Sequence, residues 1–360
     1  MSEIYCGIDF HKNTSMVIAV NDKGEKVVQD NIKSANLKTY FSSTQKAGWK
    51  IAIEATGGSN HVAQMLRDLN LSVTLINPNQ FRGIGIGGKK TDERDALALA
   101  NGLRMGFAPA VHLKTLQSRQ LKTLLTSREI LVRHRCSLMN HIRGTLREYG
   151  VVFPAGAEEF YMNAEEKVKS LTDGMIREFL LTQVTEVKRL LAQEKKLEAD
   201  LESTYGQDDR IKRLRSIPGV GPMVSLSMLA IVDGDIDRFP NASCFAAFLG
   251  LVPSVSASAN KRMMGSITRS GPEMLRRYLI HGARAWMRYS AENGDKNRKW
   301  AEQVKGRRGQ NKAVVALAHR IARICYAVLR DGTYYSFPKK PSRTVQDSPE
   351  NPVKQEGQAA

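Results

Sequence analysis

The first hundred residues alternate short apolar runs with turns, the spacing expected of an α/β unit. Ile4–Phe10 is an apolar run with Asp9 near its end, and Met16–Val20 follows. Asn21-Asp22-Lys23-Gly24 then turns the chain into Lys26–Gln29, which predicts three strands in a meander. Leu37–Thr44 predicts a helix, and Lys50–Glu54 a buried strand closing on Ala55-Thr56-Gly57-Gly58. His61–Leu69 reads as a helix, and Val73–Ile76 as a strand stopped by Asn77-Pro78-Asn79. Gly83–Gly88 is a glycine-rich loop, and Thr91 opens a helix running to about Met105.

The pattern then changes to a helical period. From Leu113 to Tyr149, apolar residues recur at helical spacing (Leu121, Leu124, Leu125, Leu131, Leu138, Ile142, Leu146), which predicts one long amphipathic helix. Val151–Pro154 breaks it, and Ile176–Glu202 repeats the pattern with Leu180, Val184, Val187 and Leu201. Two such helices predict either an antiparallel coiled-coil arm or two ordinary bundle helices. Further on, Ile217-Pro218-Gly219-Val220-Gly221-Pro222 interrupts two helical stretches within Arg210–Ile231. Ala242–Leu251 reads as a helix, Val252–Ser266 as a Ser/Ala-rich loop, and Pro272–Trp286 and Asn311–Leu329 as helices. The expected division is 1–108, an α/β domain; 109–205, a helical arm; 206–330, a mainly helical domain; and 331–360, a Pro-containing disordered tail.

Composition sharpens this picture. With 54 Lys+Arg against 36 Asp+Glu, the formal charge is +18. From Lys261 to Arg330 stand seventeen cations and four acids, a net +13; from Arg104 to Arg147 stand nine cations and one acid. Solvated helix faces mix both signs, so near single-sign stretches point to a polyanion, nucleic acid above all. No run of about 18 uncharged apolar residues exists, which excludes a spanning helix and a membrane partner. Cys6, Cys136, Cys244 and Cys325 form no CxxC pair, which argues against a disulfide framework or a cysteine zinc site and fits a cytoplasmic protein.

Three constellations carry candidate chemistry. Asp9 and Glu54 close two apolar strands, and Asp92 and Asp95, three apart, share a helix face. Carboxylates so placed suit a pair of hard divalent ions at a phosphoryl-transfer site. Taken singly, Asp92 and Asp95 are also ordinary first-turn acids behind a Thr91 cap. The hairpin around Gly219 and Gly221 resembles a helix-hairpin-helix that approaches a phosphate backbone, or is simply a tight turn that needs glycine. Ser254, Ser256 and Ser258 precede Lys261 and Arg262, where a hydroxyl beside fixed cations can attack a phosphodiester; the residues alone do not choose among the serines.

In combination these motifs resemble the IS110/IS1111-family transposases, including the Piv-type DNA invertases. The resemblance rests on Gly7-Ile8-Asp9, Glu54-Ala55-Thr56-Gly57 and Lys90-Thr91-Asp92-Glu93-Arg94-Asp95-Ala96. It continues through Ile217-Pro218-Gly219-Val220-Gly221-Pro222, Phe248-Leu249-Gly250-Leu251-Val252-Pro253 and Gly265-Ser266-Ile267-Thr268-Arg269-Ser270-Gly271. It implies a RuvC-like (RNase H-like) N-terminal domain whose Asp9, Glu54, Asp92 and Asp95 bind Mg²⁺, or Mn²⁺ in its place. It also implies a coiled-coil arm and a C-terminal transposase domain with a nucleophilic serine. Counting from Pro253 gives Ser258, with Ser256 as the alternative, because Ala259-Asn260 stands where relatives carry Gly-Gly. The implied partners are element-end and target DNA, a structured noncoding bridge RNA, and further copies of the chain as dimers and tetramers. The setting implied is the bacterial cytoplasm, in association with the nucleoid. Lys89, Lys90, Gly219, Gly221, Lys261, Arg262 and Arg269 are the expected nucleic-acid contacts. The rival readings are a metal-only nuclease of the junction-resolvase type, which needs no serine, and a non-catalytic nucleic-acid-binding protein.

Overall fold

A computed structural model of the chain describes residues 3–43, 46–81, 91–153, 156–171, 173–258, 261–289 and 295–336, with the backbone alone at 257, 258, 261, 262 and 289. Lys89, Lys90, the Gly83–Gly88 loop, Ala259, Asn260 and the expected tail from 337 onward lie outside the described residues. The chain divides into two compact units, 1–116 and 117–360.

The first unit is a mixed α/β domain with a six-stranded sheet. Its strands are β1 (Tyr5–Phe10), β2 (Thr14–Val20), β3 (Lys26–Lys33), β4 (Lys50–Glu54), β5 (Ser72–Ile76) and β6 (Ala110–Val111). They lie in the order β3-β2-β1-β4-β5-β6. β1, β2 and β3 form the expected antiparallel meander, whereas β1, β4 and β5 run parallel. The meander is longer than the apolar run implies, because β3 alternates exposed and half-buried positions out to Lys33. The helices are α1 (Leu37–Phe41), α2 (Ser59–Arg67), the single turn α3 (Pro78–Phe81) and α4 (Asp92–Arg104).

Both faces of the sheet are used. Cys6 and Ile8 of β1 and Ile51 and Ile53 of β4 join a core with Leu37 and Phe41 of α1 and Val62 and Leu66 of α2. The alternate residues point the other way, as the two-residue period of a strand requires. There Ala52 packs with Leu99 of α4. Gly7, beside Ala52 in the register, meets α4 directly: a Cβ on Gly7 would lie 1.9 Å from the Ala96 carbonyl oxygen and 2.7 Å from the Ala100 nitrogen. Only glycine admits the helix this close.

The second unit is helical apart from one hairpin. The expected long helices are α5 (Leu116–Glu148) and α7 (Gly174–Tyr205), with the shorter α6 (Ala157–Lys169) between them in sequence. The arm therefore has a third helix: Phe160, Ala164 and Val168 of α6 share a core with Ile142 and Leu146 of α5 and Leu180 and Val184 of α7. At the other end Arg128 of α5 meets Glu198 and Glu194 of α7, and Arg135 meets Glu194, so α5 and α7 run antiparallel.

The remaining helices are α8 (Asp209–Arg215), α9 (Pro222–Val232), α10 (Ala242–Phe248), α11 (Glu273–Tyr289), α12 (Lys296–Arg308) and α13 (Gln310–Asp331). They enclose one core that includes Met228, Phe245, Leu279, Trp286 and Leu317. Two features depart from the sequence reading. The Val252–Ser266 loop is instead a hairpin, β7 (Pro253–Ser258) paired antiparallel with β8 (Lys261–Ile267). The helix α12 was not expected: it turns only a thin apolar edge, with Ala301 buried and Trp300 and Val304 packed against the core. Among the described residues no helix is long and apolar enough to cross a membrane, and the four cysteines are free.

Candidate functional site

The four acids come from three elements of the first unit. Asp9 sits two residues beyond Gly7 on the same face of β1, and its carboxylate is largely covered. In the parallel register Ile8 pairs with Ile53, so Glu54, the next residue of β4, ends its strand level with Asp9. Glu54 also lies two beyond Ala52, on the face that α4 covers.

Thr91 caps α4 by accepting a hydrogen bond from the Arg94 backbone N–H at 3.3 Å. Asp92, Glu93 and Asp95 occupy the first turn, where the helix dipole favours negative charge. Glu93 turns to Lys26 of β3, 2.8 Å away, and ties the start of the helix to the sheet. Asp92 and Asp95 act on Asp9 instead. Burial lifts the Asp9 carboxyl above the usual carboxylate range; His11 pulls against that lift, and the negative charges of Asp92 and Asp95 add to it.

His11 was not among the expected site residues. Its Nε2 lies 3.2 Å from Asp9 Oδ2 and 3.6 Å from Asp92 Oδ1. One ligand atom from each of Asp9, His11 and Asp92 lies within 4.8 Å of the others. The available signal was its position two residues after Asp9, at the strand's end. Two carboxylates and an imidazole, with like charges that repel one another, form a donor set suited to a divalent cation.

The second unit holds the other expected residues. Ser254, Ser256 and Ser258 alternate along β7, and Ser258 pairs with Lys261 across the hairpin end, with Arg262 opposite Ala257. The hairpin stands out from its unit: Val255, Met263 and Met264 are all largely exposed. Its root, by contrast, is clamped. A Cβ on Gly250 would lie 2.3 Å from the Ser270 oxygen, and one on Gly271 would lie 1.9 Å from the Phe248 oxygen. Buried Arg276 of α11 donates to the Leu249 and Ser270 carbonyls at 3.2 and 2.7 Å. Arg276, unremarked in the sequence, is what fixes the two glycine motifs together. Arg269, at φ 56°, is exposed beside them.

The glycine hairpin joins α8 to α9, and its two glycines differ. Gly219, at φ 78°, lies against Gly282 of α11, where a Cβ would come within 2.4 Å of the Gly282 oxygen. Its bare Cα is therefore consumed by packing. Gly221 caps α9 with open space beside it. A groove of about 1050 Å³ runs between this hairpin and the Tyr278–Trp286 side of α11.

Comparisons with known proteins identify the family. The model of the Transposase IS116/IS110/IS902 family matches residues 211–323, and the transposase model for the DEDD domain of IS110 elements matches residues 6–151. The chain is 32% identical over 332 residues to the transposase for insertion sequence element IS1111A of Coxiella burnetii, covering 91% of this chain and 90% of the relative. It is 26% identical over 332 residues to the transposase for insertion sequence element IS1328 of Yersinia enterocolitica, covering 92% and 98% respectively. The chain belongs to the IS110/IS1111 family of transposases, enzymes that act on DNA.

Proposed function

We propose that this transposase cuts and rejoins DNA through a phosphoserine intermediate formed by Ser258, with Asp9, Glu54, Asp92 and Asp95 holding divalent metal, under the guidance of a structured noncoding RNA. The observation that carries the reading is the meeting of Asp9 and Asp92, with His11, within 4.8 Å where α4 closes over Gly7. The strand order β3-β2-β1-β4-β5 supports a RuvC-like domain over 1–108. The arm is then 109–205, the transposase domain 206–330 and the tail 331–360.

The donor set fits Mg²⁺, or Mn²⁺, which when bound polarises the scissile phosphate. The Ser258 hydroxyl attacks the phosphorus and gives up its proton; an O–P bond forms, the bridging P–O bond breaks, and the departing oxygen takes a proton. Attack by a hydroxyl of the new partner strand reverses these steps and frees the serine. Lys261 and Arg262, beside Ser258 in sequence, offset the charge that develops on the phosphate. The exposure of the β7–β8 hairpin supports its insertion into a site supplied by another protomer, in a dimer that assembles to a tetramer.

The basic stretches, α12 among them, hold DNA and RNA backbones by charge, while base pairing by the bridge RNA selects the sequence. Lys89, Lys90, Gly221 and Arg269 join these contacts; Gly219 shapes the turn. The protein acts in the cytoplasm on nucleoid DNA.

The test combines protein, cognate RNA, element-end DNA and Mg²⁺, followed by denaturation and a search for a covalent protein–DNA adduct. The expected result is an adduct in the wild type that Ser258→Ala abolishes. An adduct that survives moves the nucleophile to Ser256 or to another residue. Cutting without any adduct establishes the metal-only nuclease instead, and cutting by Asp9→Ala removes the metal assignment.

A further inference from the structure

His11 stands outside the four acids, yet its ring reaches two of them. Its position is fixed by the backbone. His11 follows β1 and closes the short link to β2, its N–H donating to the Thr14 carbonyl at 3.2 Å. The Ser34 hydroxyl donates to the His11 carbonyl at 2.7 Å, and the Ser34 N–H to the Asn13 carbonyl at 2.9 Å. The ring therefore projects from an anchored link.

The separations around Nε2 have a chemical meaning. Two ligands at right angles around an ion, each about 2.1 Å from it, lie about 3.0 Å apart. The 3.2 Å to Asp9 Oδ2 and the 3.6 Å to Asp92 Oδ1 are close to that edge. All three atoms lie within 4.8 Å of one another, near enough to share one coordination sphere.

We propose that His11 Nε2 is a direct metal ligand beside Asp9 and Asp92, so that one position of the site has mixed nitrogen and oxygen coordination. The inference rests on the metal reading given above. The ring binds as neutral imidazole through the Nε2 lone pair, and its proton resides on Nδ1. Imidazole suits Mn²⁺ better than Mg²⁺, which prefers oxygen and retained water. His11 is thus a specificity-determining residue: it raises the preference of the site for Mn²⁺ over Mg²⁺ above what four carboxylates would give. The alternative is that Nε2 only donates a hydrogen bond to Asp9.

The experiment adds Mn²⁺ alone to the full chain and reads ¹⁴N coupling by pulsed electron paramagnetic resonance. The expected result is ¹⁴N modulation in the wild type. In His11→Gln that modulation disappears while Mn²⁺ still binds, at least about tenfold more weakly, since even indirect ligand partners are worth ~10–100-fold. Competition should also show a lower ratio of Mn²⁺ to Mg²⁺ affinity in that variant. Bound Mn²⁺ without ¹⁴N modulation, or modulation that His11→Gln leaves unchanged, overturns the ligand assignment while sparing the metal site. Failure of the wild type to bind Mn²⁺, or binding that Asp9→Asn does not weaken, overturns both.

Discussion

Gly7 decides more at the site than its size implies. The two atoms that a Cβ would strike both belong to the α4 backbone, so no side chain can swing aside. Gly7→Ala must push α4 away from β1, and with it Asp92 and Asp95 away from Asp9. Overpacking of this kind costs about 1–3 kcal/mol, and the thermal midpoint should fall accordingly. Metal affinity should fall with it, read by Mn²⁺ titration of the folded protein. Gly144→Ala is the natural control, because Gly144 is exposed in the interior of α5 with nothing within 4 Å of a Cβ. There the exchange should stabilise by about 0.5–1 kcal/mol through helix propensity. If both variants melted alike, close packing at Gly7 would not be what positions the acids. In the sequence Gly7 is one letter of a motif, and the reason for it appears only once a helix from eighty-odd residues later lies on top of it.

The root of the arm is held by charge rather than by apolar contact alone. Arg128 donates to Glu198 at 2.6 Å and to Glu194 at 3.0 Å, and Arg135 donates to Glu194 at 2.9 Å. Next to Arg128 and 3.6 Å from it, Glu129 accepts from Tyr278 and pairs with Arg277, both of α11. Glu194 is only 6% exposed, so Glu194→Ala leaves two guanidinium groups without their shared carboxylate in a poorly solvated place. Breaking a buried pair in this way costs about 3–5 kcal/mol, and a denaturant midpoint measures it. Exposed Glu165 on α6, paired with Lys169 and with Lys188 of α7, provides the contrast: Glu165→Ala should leave the denaturant midpoint nearly unchanged. Similar losses at the two sites would mean that the network adds nothing. Legibility along this unit follows the same physics. α5 and α7 show in the sequence because their buried faces repeat over more than thirty residues. The β7–β8 hairpin does not, since Val255, Met263 and Met264 are exposed and give no apolar face to read. α12 is similarly hidden, for its composition reads as a solvated segment.

Charge is shared unequally across the molecule. Residues 1–116 carry fourteen Lys/Arg against ten acids, and residues 117–360 carry forty against twenty-six. The four candidate acids thus belong to the unit with a net charge of +4, and +14 of the excess falls to the unit that bears Ser258. Within it α12 is the extreme case. Lys296, Arg298, Lys299, Lys305, Arg307 and Arg308 stand against Glu302 alone, and Lys305–Glu302 is the ion pair that the helix makes among the described residues. The capping that fixes this helix uses a separate group: buried Asp295 accepts from the Asn297 and Arg298 backbone N–H groups and, at 2.5 Å, from the Trp286 indole N–H. Cations left unneutralised on a firmly capped helix repel one another, and a phosphate backbone relieves that repulsion. Each phosphate contact contributes about 0.9 to the slope of log affinity against log salt on duplex DNA. Replacing Lys296, Lys299, Arg307 and Arg308 with Gln should therefore weaken DNA binding at low salt and flatten that slope by about 3–4. The same exchange at Lys23, Lys33 and Lys38 of the first unit should leave the slope unchanged. Circular dichroism separates charge from folding, because Asp295→Ala weakens the helix without altering its cations. An unflattened slope in the α12 variant, with its helix content intact, would show that the excess positive charge meets DNA elsewhere.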